Sequence, residues 1–461
     1  MANFLAFLKY PPDSKNNLAS ILLFNTGMKT SKFNIIIPMD SKGDYIIFNT
    51  FSKSHVVVDE DVVSALDKLK MGAEPTAEST TVFEQLKEMD IVVDDEVDED
   101  SELEYHFQKN KFDTSVLSVN ILTTYACNLG CVYCFQDGVK TSVLMDTEMC
   151  NKIAAWLCER MEKARPEILR VVFYGGEPLL NIKAIKFLSQ LLFLAASQRN
   201  VAVESSIITN GVLLNEDLID ELVPWGLKSV RVTLDGDKPA HDSKRCFKDG
   251  RGTFDLILKN LEKIKGKIPI YLNGNFDDKT KDKFPALLDT LVDRGFKGYI
   301  GGITFKPILK NIESAIAGSN NCSDVCTFSD MSNVGDMLFL IRETEKRGFK
   351  SGMGVSLGPC EVSKEYSYTI DPFGKIYKCG GFVGRKEFVI GDLSKQGFNY
   401  KLAQFMTTDT WRGDCKGCSY MPLCGGGCRA AAYVKHGNFQ KVACDSLYFE
   451  EVSQELMKEA A

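Results

Sequence analysis

The 461-residue sequence has no uninterrupted apolar run approaching the roughly 18–20 residues of a membrane span, so no membrane segment is expected. It has no block of lysine and arginine. With a formal charge of -7 it lacks the basic footprint of a nucleic-acid binder. The first residues, MANFLAFLKYPPD, hold only a short apolar stretch and a proline pair, which is a poor export signal. A cytoplasmic location follows as the expectation. Internal repeats are missing too. What remains is ordinary globular composition, 44% hydrophobic and 25% charged, in a chain long enough for two or three domains.

Cysteine is the exception to this plainness. Fifteen are present, an odd number that fits full disulfide pairing poorly. They cluster at metal-ligand spacings. Thiols kept reduced and used on metal are the better reading.

Residues 33–110 read as a small α+β domain. Phe33–Met39, Asp44–Asn49 and His55–Asp59 suggest three short strands. Helices follow over Glu60–Met71 and Thr80–Met89, then a short apolar strand, Ile91–Val93. The acidic run Asp94–Glu104 reads as a solvated linker. From Leu117 the pattern alternates. Strands are expected at Leu117–Thr123, Leu169–Tyr174, Val203–Thr209, Ser229–Leu234, Ile268–Asn273 and Tyr299–Phe305, with helices between them. Six such units suggest a partial (β/α)6, TIM-like barrel, with its site at the C-terminal strand ends. From Gly352 onward glycine and cysteine dominate and apolar residues look too few for a good core, so metal-dependent folding is expected. A last helix is expected over Ser446–Ala460. The domain expectation is therefore 1–110, 111–350 and 351–461.

Cys127, Cys131 and Cys134 form C-x3-C-x2-C directly after the first barrel strand. Three thiolates can hold three irons of a [4Fe–4S] cube and leave the fourth open. A zinc site would prefer four ligands, and no histidine lies nearby. The stretch Cys127-Asn-Leu-Gly-Cys131-Val-Tyr133-Cys134 resembles the signature of radical S-adenosylmethionine (SAM) enzymes. That resemblance implies that the open iron chelates SAM and that its cleavage yields a 5′-deoxyadenosyl radical. Gly175-Gly176-Glu177-Pro178, at the end of the next strand, resembles the family's SAM-amino-binding motif. Asn210 and Thr233 resemble its ribose- and carboxylate-facing positions, and Arg245 its SAM-carboxylate partner. Cys150 and Cys158 fall on the apolar face of a helix and read as buried small hydrophobes; Cys246 reads as bland.

Cys360, Cys379, Cys415, Cys418, Cys424, Cys428 and Cys444 resemble the SPASM extension of the same enzymes, which implies two auxiliary [4Fe–4S] clusters. By that resemblance Cys415, Cys418, Cys424 and Cys444 ligate one. Cys360, Cys379 and Cys428 belong to the other, with Cys322 or Cys326 as its possible fourth ligand or an iron left open. The likeness spans about residues 115–445.

The N-terminal strands and helices resemble the winged-helix-like peptide-recognition element of enzymes that mature ribosomal peptides, which bind a leader by strand addition. The resemblance implies a radical SAM oxidoreductase that binds a ribosomally made precursor peptide, takes electrons from a donor such as flavodoxin or ferredoxin, and installs a cross-link. A cysteine thioether, of the sactipeptide or ranthipeptide kind, is the leading expectation. The alternatives are a carbon–carbon cross-link, oxidation of a peptidyl Ser or Cys to formylglycine, or a non-catalytic metal scaffold.

Overall fold

A computed structural model describes residues 27–39, 43–134, 136, 141–308, 331–352, 360–395, 397–444 and 446–460. Within these, the chain divides into two compact units. One comprises residues up to Gln108, Thr410–Gly426 and the chain from Ser446; the other is Lys109–Asp409 with Gly427–Asp445.

The first unit holds five strands. β1 (Met28–Thr30) pairs with β5 (Val92–Asp94), while β2 (Asn34–Pro38), β3 (Asp44–Asn49) and β4 (His55–Asp59) form an antiparallel sheet in that order. In β3 the side chains alternate between two apolar faces, as a strand period of two requires. Ile47 packs with Leu66, Leu69, Phe83 and Leu86 of helices Glu60–Lys70 and Ala77–Lys87. Ile46 and Phe48 face the other way, with Ile35, Ile37, Leu423 and Met457. Both faces are covered, the second by Met421–Cys424 and the last helix, Ser446–Ala460.

The acidic run is not wholly linker. Helix Glu99–Lys111 begins inside it. Asp98 accepts hydrogen bonds from the Asp100 and Ser101 amides, and three acidic residues occupy the first turn, where the helix dipole favours negative charge. Leu103 and Phe107 then reach a core containing Phe33, Trp411 and Met421.

The second unit carries a ten-stranded sheet. β6 (Val116–Thr124), β7 (Ile168–Gly175), β8 (Ala202–Thr209), β9 (Leu227–Thr233), β10 (Ile270–Phe276) and β11 (Ile300–Pro307) lie side by side in chain order, all parallel. These are the six alternating units expected. Beyond β11 stands β12 (Ser351–Gly352). Beyond β6 come β13 (Ser367–Ile370), β14 (Lys375–Tyr377) and β15 (Gly391–Asp392). The sheet thus continues into the cysteine-rich segment.

That segment has more core than its composition suggests. Phe382 stacks on Phe388 at 4.0 Å, Phe405 on Phe439 at 4.2 Å, and Tyr433 meets Phe388 edge-on at 4.7 Å. Few apolar residues suffice because those present are large rings. Among the described residues, Pro178–Ser197 is the one segment with the length and mean hydropathy, 1.5, of a membrane span. Its Ile185, Leu188, Leu192 and Ala196 pack into the barrel core, as a crossover helix requires.

Candidate active site

β6 delivers the first three cysteines. After Thr124 the chain leaves the sheet, and residues 127–134 are pinned to a neighbouring loop: Gly130 N donates to Cys246 O (2.9 Å) and Val132 N to Lys244 O (3.2 Å). Cys246 contributes through its carbonyl. Cys127 and Cys134 both lie close enough to Cys131 to raise its pKa, although burial is the larger cause; Arg245 acts in the opposite direction. Among the described residues, no three Cys, His, Asp or Glu side chains are gathered tightly enough for a single metal ion. None of the thirteen described cysteines is in a disulfide.

The glycines at the end of β7 have a packing reason. A Cβ on Gly176 would fall 2.3 Å from Ala126 O, and one on Gly175 would fall 2.3 Å from Thr124 O. Their absence lets Gly176 N and Glu177 N donate to Thr124 O (3.1 Å) and Ala126 O (2.8 Å), which locks the two strand ends together beside Cys127. Pro178 opens a short 3₁₀ turn, and its carbonyl accepts from the Thr123 hydroxyl.

Glu177 is fully buried. Its carboxylate accepts from Asn210 N (2.8 Å), the Thr209 hydroxyl (2.7 Å) and Leu179 N (3.0 Å). Burial pushes its pKa up, while these bonds and Arg245 oppose the shift. The Asn210 side chain reaches Asn128 of the cysteine loop at 2.8 Å, and Gly211 follows at φ 83°, where glycine is needed. Thr233 is buried at the end of β9.

Tyr133 joins the loop to the far side of the barrel. Its hydroxyl donates to Asp235 and accepts from Arg245 Nη1 (2.7 Å) and Asn275 Nδ2 (3.2 Å). Asn275 N also donates to Asp235 at 2.8 Å. Arg245 Nε is buried and has no partner. Its guanidinium is held above the ordinary arginine range by Tyr133 and Asp235, against the opposing effect of burial. His241 is a structural prop beside this network. Its Nδ1 accepts from Asp235 N (3.2 Å) and its Nε2 meets the Thr253 hydroxyl (3.0 Å), which donates to Arg245 O. Burial pushes its pKa down to about 3, so the ring is neutral.

Asn128 and Asn275 carry no sequence expectation of their own, while Asp235 stands in the Thr233–Gly236 strand end. Asn275 left one signal: Asn273 and Asn275 are polar residues two apart in an otherwise apolar strand.

Cys360, Cys379 and Cys428 lie within electrostatic reach of one another. Burial first, then Cys360 and Cys428, pushes the Cys379 thiol up to about 12. Cys415, Cys418 and Cys424 belong to the first unit, with Cys415 and Cys418 against the Phe33–Trp411 core; Cys444 belongs to the second. Cys150 is buried in helix Thr147–Ala164 and Cys158 is partly buried there, as the apolar-face reading has it. Cys322 and Cys326 lie outside the described residues.

Residues 121–291 match the model of the radical SAM superfamily. The chain is 26% identical over 356 residues to a cysteine-type anaerobic sulfatase-maturating enzyme of Clostridium novyi, covering 70% of this chain and 90% of that one. Its fold is similar to the structure of anSMEcpe with bound AdoMet and the Kp18Cys peptide. There the TM-score is 0.60 at 20% identity, over 74% of this chain and 98% of that one. It is also similar to Streptococcus suis SuiB bound to precursor peptide SuiA, with a TM-score of 0.50 at 14% identity over 90% and 99%.

Proposed function

We propose that this chain is a radical SAM peptide maturase: it takes a ribosomally made precursor peptide and installs a cross-link, with a cysteine thioether as the preferred product. The observation that carries the SAM-binding part is the pair of opposite buried charges beside the cysteine loop, the Glu177 carboxylate and the Arg245 guanidinium with its unpartnered Nε. An α-amino acid presents an ammonium and a carboxylate, and these two groups complement it. The fit extends to a [4Fe–4S] cluster through Cys127, Cys131 and Cys134, three thiols held close to this pair.

SAM on that cluster would supply a 5′-deoxyadenosyl radical for hydrogen abstraction from the peptide. The protein's own residues do the rest. Glu177 holds the ammonium end, steadied by Thr209 and Asn210. Tyr133, itself held by Asn275, fixes the Arg245 fork, whose unpartnered Nε would be free to serve the carboxylate end. Tyr174, within electrostatic reach of Cys127 and Cys134, helps keep water from the site. Cys360, Cys379 and Cys428 would hold one auxiliary cluster, and Cys415, Cys418 and Cys424 would supply thiolates to a second. An electron donor such as flavodoxin or ferredoxin would serve them. β4 is an edge strand with an exposed Val57, and it could take a leader peptide by strand addition. Formylglycine formation is the second reading, favoured by the likeness to the Clostridium novyi enzyme.

Anaerobic iron and sulfide quantitation with EPR tests the proposal. About twelve irons per chain are expected, falling to about eight when Cys127, Cys131 and Cys134 are all changed to Ala, since a cube holds four. SAM cleavage should vanish in that variant. A protein that carries zinc alone, or that cleaves SAM without these cysteines, would sink it.

A further inference from the structure

The inner wall of the barrel carries a pair of cations that the SAM site does not use. β9, β10 and β11 each turn one face to the helix-covered core, where Val230, Val232, Leu272, Phe276, Ile303 and Phe305 are buried. The alternate residues line the other face. Asn275 marks it, because its side chain reaches Tyr133 of the cysteine loop. Lys306 stands directly opposite Asn275 in the β10–β11 register. Arg231 stands opposite Tyr271 in the β9–β10 register, two residues before Thr233. Both cations therefore share the sheet face that carries Asn275 and Thr233.

Arg231 Nη1 donates to the neutral Asn273 side chain at 3.1 Å, and its guanidinium lies over the Tyr271 ring, 5.4 Å from the centroid. Among the described residues, neither Arg231 nor Lys306 has a carboxylate within ion-pair distance. The contrast is on the same wall: Arg170 is paired with Glu204 at 3.2 Å. Lys306 is open to solvent, yet walled by protein and close enough to Arg231 that burial and that like charge both hold its ammonium below the ordinary lysine range; the Cys428 thiol acts in the opposite sense. Two cations on one face of the sheet, with the Tyr271 ring and the neutral Asn273 amide beside the first of them, suit an anion that reaches both.

We propose that Arg231 and Lys306 form a carboxylate-binding subsite that seats an acidic residue or the C-terminal carboxylate of the core peptide between the SAM site and Cys428. The inference rests on the peptide-maturase reading above and adds the substrate's chemical class. A bound carboxylate would accept from both cations and bring the peptide's neighbouring carbon toward the strand ends. The Tyr271 ring would wall its aliphatic portion.

The test uses reconstituted full-length protein under saturating SAM, with binding of three short probes followed by calorimetry. The probes are Ac-Gly-Glu-Gly-Glu-Gly-NH2, its Gln twin, and the Gln twin with a free C-terminus. At least one carboxylate-bearing probe should bind about tenfold or more tighter than the amidated Gln peptide. Which one does so identifies the source of the carboxylate. Arg231→Gln with Lys306→Gln should erase the preference, while Arg231→Lys should keep most of it. Equal binding of all three probes, or no binding of any, overturns the proposal, as does a preference that survives the double variant. Cleavage of SAM by the same wild-type preparation reports separately on the radical reading: a preparation that cleaves SAM but shows no acid preference refutes only the subsite.

Discussion

The Tyr133 hydroxyl gathers Asp235, Arg245 and Asn275 into one network, so a single oxygen can be removed and its consequences read. Tyr133→Phe takes a donor from the buried Asp235 carboxylate and leaves Arg245 less well oriented. We expect a loss of about 1–3 kcal/mol in chemical denaturation of the reconstituted protein, and weaker SAM binding by calorimetry. An unchanged midpoint and affinity would mean the network is incidental. His241 gives a second test at the same scale. Its folded pKa lies near 3, below the ordinary value of 6.5, because burial disfavours the charged ring. Below about pH 6.5 the unfolded chain therefore binds a proton that the folded chain does not. The stability is full above that pH and falls as pH drops toward 3, by at most about 1.4 kcal/mol per unit. His241→Asn keeps an acceptor near the Nδ1 position. Denaturation at about pH 7.5 and about pH 5.5 should show a smaller acid loss in the variant than in wild type.

At the level of elements, what was readable in the sequence depended on whether a signal was local. The six barrel strands were legible because β6–β11 carry compact apolar runs bounded by turns, and the cysteine loop because its spacing is contiguous. Helix Glu99–Lys111 was obscured by its acidic run, which looks solvated until the partners are known: Glu99 accepts from the Ser31 hydroxyl and from Lys32 N. Glu99→Ala should leave both donors unsatisfied and cost about 1–3 kcal/mol in the first unit, measured by denaturant unfolding. A loss within error would return that turn to a merely solvated role. The Tyr133 network was illegible for a different reason. Its members come from four segments, and only the fold brings residues 133, 235, 245 and 275 to one point. β13–β15 escaped because strands of two to four residues carry no periodicity to read.

Across the whole molecule, chain order and spatial grouping part company, and this decides which experiments are informative. The three-stranded sheet of the first unit is covered on one face by Leu423 and Met457, and Phe33 and Phe107 share a core with Trp411 and Met421. The Phe107 and Trp411 rings stack at 4.9 Å. Deleting residues 1–108 to test leader binding would therefore expose Trp411, Met421, Leu423 and Met457, beside Cys415 and Cys418. Each large side chain left uncovered forfeits about 1.5–3 kcal/mol of burial. We expect the truncated chain to aggregate or to hold less iron than the full chain, measured by sedimentation and iron content. A soluble truncation with full iron would show that the segment 410–426 folds without those strands. The cysteine-rich part of the second unit differs, because Phe382 is fully buried among Phe388, Phe405 and Tyr433. Phe382→Ala should cost about 3–5 kcal/mol whether or not iron is bound, since its ring packs directly on the Phe388, Phe405 and Tyr433 rings. Unfolding with and without chelator separates the alternatives. A penalty that disappears once iron is removed would mean that the metal organises this core, as the composition alone had suggested, and that the aromatic cluster forms only around it.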